Sequence, residues 1–488
     1  MEPGAVGTAS LTHGERRAED PTAVSGLVLL LALAAASFGQ GAFSGGLRLF
    51  IAALLAVALV LVLVATRVHA ADIRSGFVWA GALLAGWALI RAWAGGSPAA
   101  GLTWALFGAG TVAVALVSRR LSANSRAMLL GGLLTVGVAV ALTGWLGIAL
   151  HMRPWGLPSE GVWRAASTLT YANATAGLLV PLALVGLARL TAMPRAIPLS
   201  LAVMCLLTST VATLSRAGIG ALGVGLLVLC WLLGAKRVVR AGGVPALGAG
   251  VALAGLLASL RHGVPARPVY AALGMAAGLG LVFLAQRYAS RKQTLVMAAA
   301  ALSAALLFIV FVPQAHRAVR RLTQARLSLA SSPRAGEAAA ALRVIASHPL
   351  AGVGPGHVLR WTSPGGVANV DQYAHDEYLQ VFTDLGVVGA VLAAVLLIAA
   401  GRLLWRARAS SPDRALWAGA VAGAIAFALH SGFDFLWQVP AVPLTVAALG
   451  GIAIGLPPAR QHRPPGDPPS ASGEAELECN FARKSAQP

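Results

Sequence analysis

What most restricts the folding of this chain is a succession of apolar runs, each about as long as a bilayer is thick. A helix needs about 20 apolar residues to cross roughly 30 Å of hydrocarbon. Runs near 24–39, 47–66, 75–93, 101–118, 127–150, 167–188, 196–214, 217–235, 241–260, 268–285, 294–312, 385–405, 415–431 and 439–456 answer to that length. With 57% hydrophobic and 11% charged residues, the chain is too apolar for a soluble domain. The expected fold is an all-α integral membrane bundle of about 12–14 transmembrane helices; the count is soft at 24–39 and 241–285, and twelve applies if two adjacent weak runs fail to cross. Run 24–39 reads as a retained first helix; cleavage near Ala36, as in a signal peptide, is the alternative.

A formal charge of +20 would suggest nucleic acid as a partner of a soluble protein. Here the cations sit in short tracts between spans, so no nucleic-acid partner is expected. With the N-terminus cytoplasmic, the inside segments and tail hold about 23 Lys and Arg, and the short outside loops about seven. Five regions follow: a cytoplasmic segment 1–23, N-terminal spans 24–312, a long extracytoplasmic loop 313–384, C-terminal spans 385–456, and a disordered cytoplasmic tail 457–488, rich in Pro, Ser and charge. Cys205 and Cys230 lie in apolar runs and Cys479 in the tail, which offers neither a disulfide framework nor a Cys-rich metal site.

Chemistry concentrates in the long loop. It opens on HRAVRRLTQARLSLA, a basic helix suited to anionic lipid head groups. A helix from Arg334 to Ser347 and a Gly/Pro turn from His348 to Gly356 follow. DQYAHDEYLQVFTDLGVVG then reads as a short helix entering the next span, with His375, Leu379 and Phe382 on one face. Histidine is the usual proton acceptor near pH 7, although a lone loop histidine is often incidental. Its company raises this one: Asp371, four residues earlier, is placed to fix the imidazole tautomer, and Asp376 and Glu377 add negative potential.

Further polar groups stand at other outer span ends. Arg216 interrupts about 35 apolar residues, and a mid-helix charge costs roughly 2.5–3.5 kcal/mol, so it belongs at an interface. It is either a snorkelling anchor or an anion-binding guanidinium, suited to phosphate by its fork of donors. Arg164, Tyr171 and Asn173 lie at another end; Asn173-Ala-Thr also fits a glycosylation pattern, read as accidental at a span end. His430 and Asp434 are spaced for one helical face, where a structural hydrogen bond is expected. Cations and a histidine at one outer face suit a lipid-anchored anionic substrate. There is no D-x-D, H-E-x-x-H or G-x-x-x-x-G-K-[ST], which argues against metal-assisted chemistry and nucleotide hydrolysis.

Four motifs in order, SRAG at Arg216, Arg334 with SHPLAGVGPG, AHDEYLQVFTDLGVVG, and HSGFDFLWQVP, resemble the O-antigen ligase and polymerase (Wzy/WaaL-like) family of bacterial envelopes over roughly 160–450. The family pattern reads S-R-G, R-x-x-x-W, H-P-x-x-G-x-G and H-N-x-x-L-Q-x-x-x-E-x-G. This chain has Ala217 for the glycine, Ala338 for the tryptophan, Asp376 for the asparagine and Asp384 at the acidic position. None of these removes a catalytic group; loss of the tryptophan alters packing beneath Arg334. The resemblance implies a C-type glycosyltransferase-like, multi-pass protein of the bacterial inner membrane, working without cofactor or metal. Its donor would be an undecaprenyl diphosphate-linked oligosaccharide amid membrane lipid, its acceptor a glycan, lipid or protein. His375 would be the catalytic base and Arg216 and Arg334 would bind the diphosphate, with inversion at the anomeric carbon; Asp371, Tyr171 and Asn173 complete the expected substrate-binding set. Two readings from other classes remain: a transporter or lipid-linked oligosaccharide flippase, which needs charges along a path through the midplane, and an enzyme-like scaffold in envelope assembly.

Overall fold

A computed structural model describes residues 20–66, 75–288, 291–326, 332–363 and 365–455. The segment 1–19, the connection carrying Arg67 and Arg74, and the tail whose disorder was expected lie outside the described residues. Helices α1 (Ala23–Phe38), α2 (Gly45–Ala65), α3 (Gly76–Ala94), α4 (Pro98–Arg120) and α5 (Ala123–Ala149) come first. Then follow α6 (Ala172–Ala192), α7 (Ile197–Ala212), α8 (Arg216–Leu229), α9 (Ala235–Leu256), α10 (Pro268–Arg287) and α11 (Arg291–Phe311). The last five are α12 (Pro313–Arg326), α13 (Ser332–Ser347), α14 (Glu377–Arg406), α15 (Arg414–Ser431) and α16 (Ala441–Ile454).

Every apolar run of the sequence falls on one of these helices. Among the described residues, eight helices are long and apolar enough to cross a membrane, the stretch Arg216–Ser259 counting as one. Gly234, with φ +91°, turns the chain inside that stretch and separates α8 from α9. Three more apolar helices, Ala23–Phe38, Ile197–Ala212 and Ala441–Ile454, are shorter. The protein is a multi-pass helical membrane protein.

Two hairpins of four-residue strands qualify the all-helical expectation. Strands β1 (Gly156–Ser159) and β2 (Val162–Ala165) pair antiparallel between α5 and α6, and β3 (Leu359–Thr362) with β4 (Ala368–Asp371) between α13 and α14. Both lie in connections between helices, where neighbouring helices do not dictate the backbone and short strands satisfy one another.

The core is built around α6, almost every residue of which is buried. Its antiparallel neighbour α15 approaches closely because Gly419 and Gly423 lie against Val185 and Pro181, where a side chain would collide. Ion pairing of Arg189 with Asp413 fixes one end of this helix pair. At the other end, Tyr171 precedes α6 and Asp434 follows α15, so packing alone brings them together. The buried α7 and α16 complete the surround of α6.

Candidate active site

Each element contributes to the site by how it begins or ends. Asp376 caps α14, its Oδ1 accepting from the Tyr378 and Leu379 amides at 2.9 and 3.1 Å. This helix therefore starts at Glu377, and His375 stands outside it in a left-handed conformation, φ +49°. The expectation of His375 on one helical face with Leu379 and Phe382 is corrected on this point: the cap satisfies the first amides and ends the helix before the histidine. A non-glycine residue at positive φ is strained, and such strain gathers at functional sites.

The carboxylate at the imidazole is Asp434, not Asp371. His375 Nδ1 lies 3.3 Å from Asp434 Oδ1, and Asp434 is fully buried. Asp371 instead accepts from Trp361 Nε1 at 2.5 Å, across the β3–β4 hairpin. Nor do Asp376 and Glu377 supply free negative charge. The one is the cap, and the other is buried and accepts from the Trp437 and Gln438 amides, pinning the turn that carries Asp434.

Asp434 is the hub of a network. Tyr171 donates its hydroxyl to Oδ1 at 2.7 Å and lies 3.4 Å from His375 Nδ1. Asn173 donates to Oδ2, and the Phe435 amide to Oδ1 at 2.9 Å. Arg334 Nη2 stands 3.9 Å from Oδ2. The Phe435 ring stacks on Tyr171 at 4.8 Å and meets the His375 ring edge-on at 4.9 Å, holding the imidazole plane. Asn173, buried and bonded here, is no glycosylation acceptor. Asp434 also lies beyond the end of α15, so it does not share a helical face with His430. That ring, buried in α15, meets no hydrogen-bond partner among the described residues.

Charge states follow from this packing. Burial disfavours the imidazolium, yet the hydrogen bond and charge of Asp434 outweigh it and raise the His375 pKa above its ordinary value. Burial would likewise raise Asp434, but His375 and the Tyr171 hydroxyl hold it below the usual carboxylate range. Burial and the neighbouring carboxylate push Tyr171 far up, keeping it a neutral donor.

Arg216 opens α8, whose first turn Ser215 caps by accepting from the Gly218 amide. Just before it, the Thr213 carbonyl accepts from Arg164 Nε at 2.8 Å, and Arg164 Nη2 donates to Asn173 Oδ1 at 2.6 Å. This chain of bonds ties the Arg216 segment to the Asp434 end of the bundle. The structure thus gathers Tyr171, Asn173, Arg334 and His375 around one carboxylate, leaves Asp371 on Trp361, and brings in Arg164.

The glycine-rich turn and the start of α14 are braced from two helices that carried no motif. Arg91 of α3 donates to the Ala351 and Gly352 carbonyls at 2.9 Å each. Trp104 of α4 donates to Asp384 Oδ2 at 3.0 Å, and the Val353 and Gly354 amides bond to the Thr383 and Asp384 carbonyls. Nothing in the sequence marks Arg91 or Trp104 except a polar atom near an apolar span. The ring of Trp361 lies against Gly336 of α13, where a Cβ would come within 2.2 Å of it.

An apolar cavity of roughly 300 Å³, lined by Val211, Leu214, Val251, Leu257 and Ile309, begins two residues from Arg216. A larger one of roughly 510 Å³ reaches Ser75 and Arg119 at the far end of α14 from His375.

Residues 266–394 match the family model described as O-Antigen ligase. The match takes in Arg334, the glycine-rich turn and His375; Tyr171, Asn173, Arg216 and Asp434 lie beyond it. No curated protein matches the chain.

Proposed function

We propose, from the match of residues 266–394 to the O-antigen ligase family model, a metal-independent, inverting transfer of a glycan from undecaprenyl diphosphate to an acceptor hydroxyl, at the outer face of the bacterial inner membrane. The observation that carries this reading is the His375–Asp434 pair. A carboxylate at Nδ1 keeps the proton on that nitrogen and leaves Nε2 as the proton acceptor.

In the proposed step, Nε2 takes the acceptor proton as the hydroxyl oxygen bonds to the anomeric carbon. The bond from that carbon to the diphosphate breaks on the opposite face, and its electron pair leaves with undecaprenyl diphosphate. Inversion follows from attack opposite the leaving group. Arg216 and Arg334 neutralise the charge developing on the diphosphate, the work a metal ion does elsewhere. Tyr171 and Asn173 hold Asp434 in place, so their part in substrate binding is through that carboxylate. The cavity beside Leu214 supports the reading, since an apolar recess next to an anion-binding arginine suits a prenyl chain with a phosphate head.

The test is transfer of a defined undecaprenyl diphosphate oligosaccharide by purified protein with EDTA present. His375→Ala should lower the rate about 10²–10⁴-fold, the contribution of a general base. Loss of a polar turn contact alone would instead appear as about 1 kcal/mol of stability. Retention of more than about a tenth of the wild-type rate would remove His375 from the role, and full inhibition by EDTA would remove the metal-independent step.

A further inference from the structure

One acidic side chain at the site has no task in that step. Glu337 lies one turn after Arg334 on α13 and is only 5% exposed. Its Oε2 is buried and meets no donor among the described residues. The other carboxylates around His375 are committed: Asp434 accepts from Tyr171, Asn173 and the Phe435 amide, and Asp371 accepts from Trp361. Arg334, the cation on the same helix, reaches toward Asp434.

Glu337 stands on the helix whose Ala340 and Ala341 pack in one cluster with Ala374, the neighbour of His375, and it feels the charges of His375, Asp371, Arg334 and Asp434. Its burial among these groups also raises its pKa. A buried carboxylate oxygen without a donor is destabilising and calls for an explanation, which a ligand supplying that donor provides. A diphosphate would be repelled by it and is drawn instead to guanidinium groups. Sugar hydroxyls are donors, and the acceptor is the substrate whose hydroxyl must lie at His375.

We propose that Glu337 binds a hydroxyl of the acceptor glycan, holding the sugar so that a neighbouring hydroxyl meets His375. This rests on the transferase reading above. It makes Glu337 a residue of acceptor recognition, separate from the arginines that hold the donor.

The experiment uses an undecaprenyl diphosphate oligosaccharide as donor. A soluble oligosaccharide of the same repeat, and its set of monodeoxy analogues, serve as acceptors. Glu337→Ala should raise the acceptor KM about 10- to 100-fold, as expected for losing a hydrogen bond to a charged acceptor, and Glu337→Gln, which keeps a carbonyl oxygen, should do so less. Donor affinity, measured by titration without acceptor, should stay unchanged in both variants and weaken in Arg334→Lys. With one monodeoxy acceptor, wild type and Glu337→Ala should react at the same rate, because the hydroxyl that Glu337 holds is already missing. A fall in donor affinity with acceptor KM unchanged would overturn the proposal, as would an equal deficit on every analogue. If wild-type protein moves no glycan from the lipid diphosphate, the transferase reading itself fails, a result distinct from any difference among the Glu337 variants.

Discussion

Only the neutral imidazole of His375 can accept a proton, so its charge state sets the acid limb of the pH profile. Asp434 stabilises the protonated form, and kcat/KM should therefore rise with pH through a value above the ordinary histidine pKa of about 6.5. Asp434→Asn removes that charge. Its acid limb should move to lower pH while the plateau falls about 10²-fold or more, since the amide no longer holds the Nδ1–H tautomer as strongly. A limb that stays in place in the variant would show that another group titrates. The linkage to stability runs the opposite way. The pairing contributes stability below the unfolded value of about 6.5, and that contribution fades as pH rises through the higher folded value. At this scale the sequence discloses His375, Arg216 and Arg334 by type and motif. Asp434 was visible as well, but its role was not, because 59 residues separate it from the imidazole it holds.

Among the elements, the junction of the glycine-rich turn with α14 carries the most geometry. Gly386 has φ +65° and ψ −166° within α14, splitting it into a short first segment and the span proper. An added Cβ would come within 2.3 Å of the Leu350 carbonyl oxygen. Both the backbone region and the close approach exclude a side chain. Gly386→Ala should destabilise the protein by about 1–3 kcal/mol, seen as a lower unfolding midpoint in detergent, with faster proteolysis of the 348–356 turn and loss of transfer. An unchanged midpoint would mean that the turn and the helix separate without consequence. The reading of a short helix running into a span anticipates this element in outline. It mistakes where the helix begins, because the Asp376 cap outcompetes the apolar periodicity. The braces from Arg91 and Trp104 were not legible, since an arginine and an indole near a span end look the same whether they anchor in lipid or reach a distant loop.

For the molecule as a whole, the Lys/Arg asymmetry predicts that both termini are cytoplasmic and 313–384 is outside. A cysteine at the exposed Ala339 of α13 should react with a membrane-impermeant thiol reagent in intact spheroplasts. Protection there, with labelling of Cys479, would reverse the orientation and take the outer-face step with it. The sequence by itself determined the helical membrane class, the position of each apolar helix and the residue types of the chemistry. Those properties are local: a run of apolar side chains decides alone whether a segment partitions into hydrocarbon as a helix. Only the tertiary structure decided which carboxylate meets His375. That choice depends on the tight α6–α15 pair, on Glu377 holding the 436–438 turn, and on Arg164 tying Thr213 to Asn173. Such contacts join residues up to 263 positions apart, from Tyr171 to Asp434, and helix packing rather than sequence spacing fixes their distance.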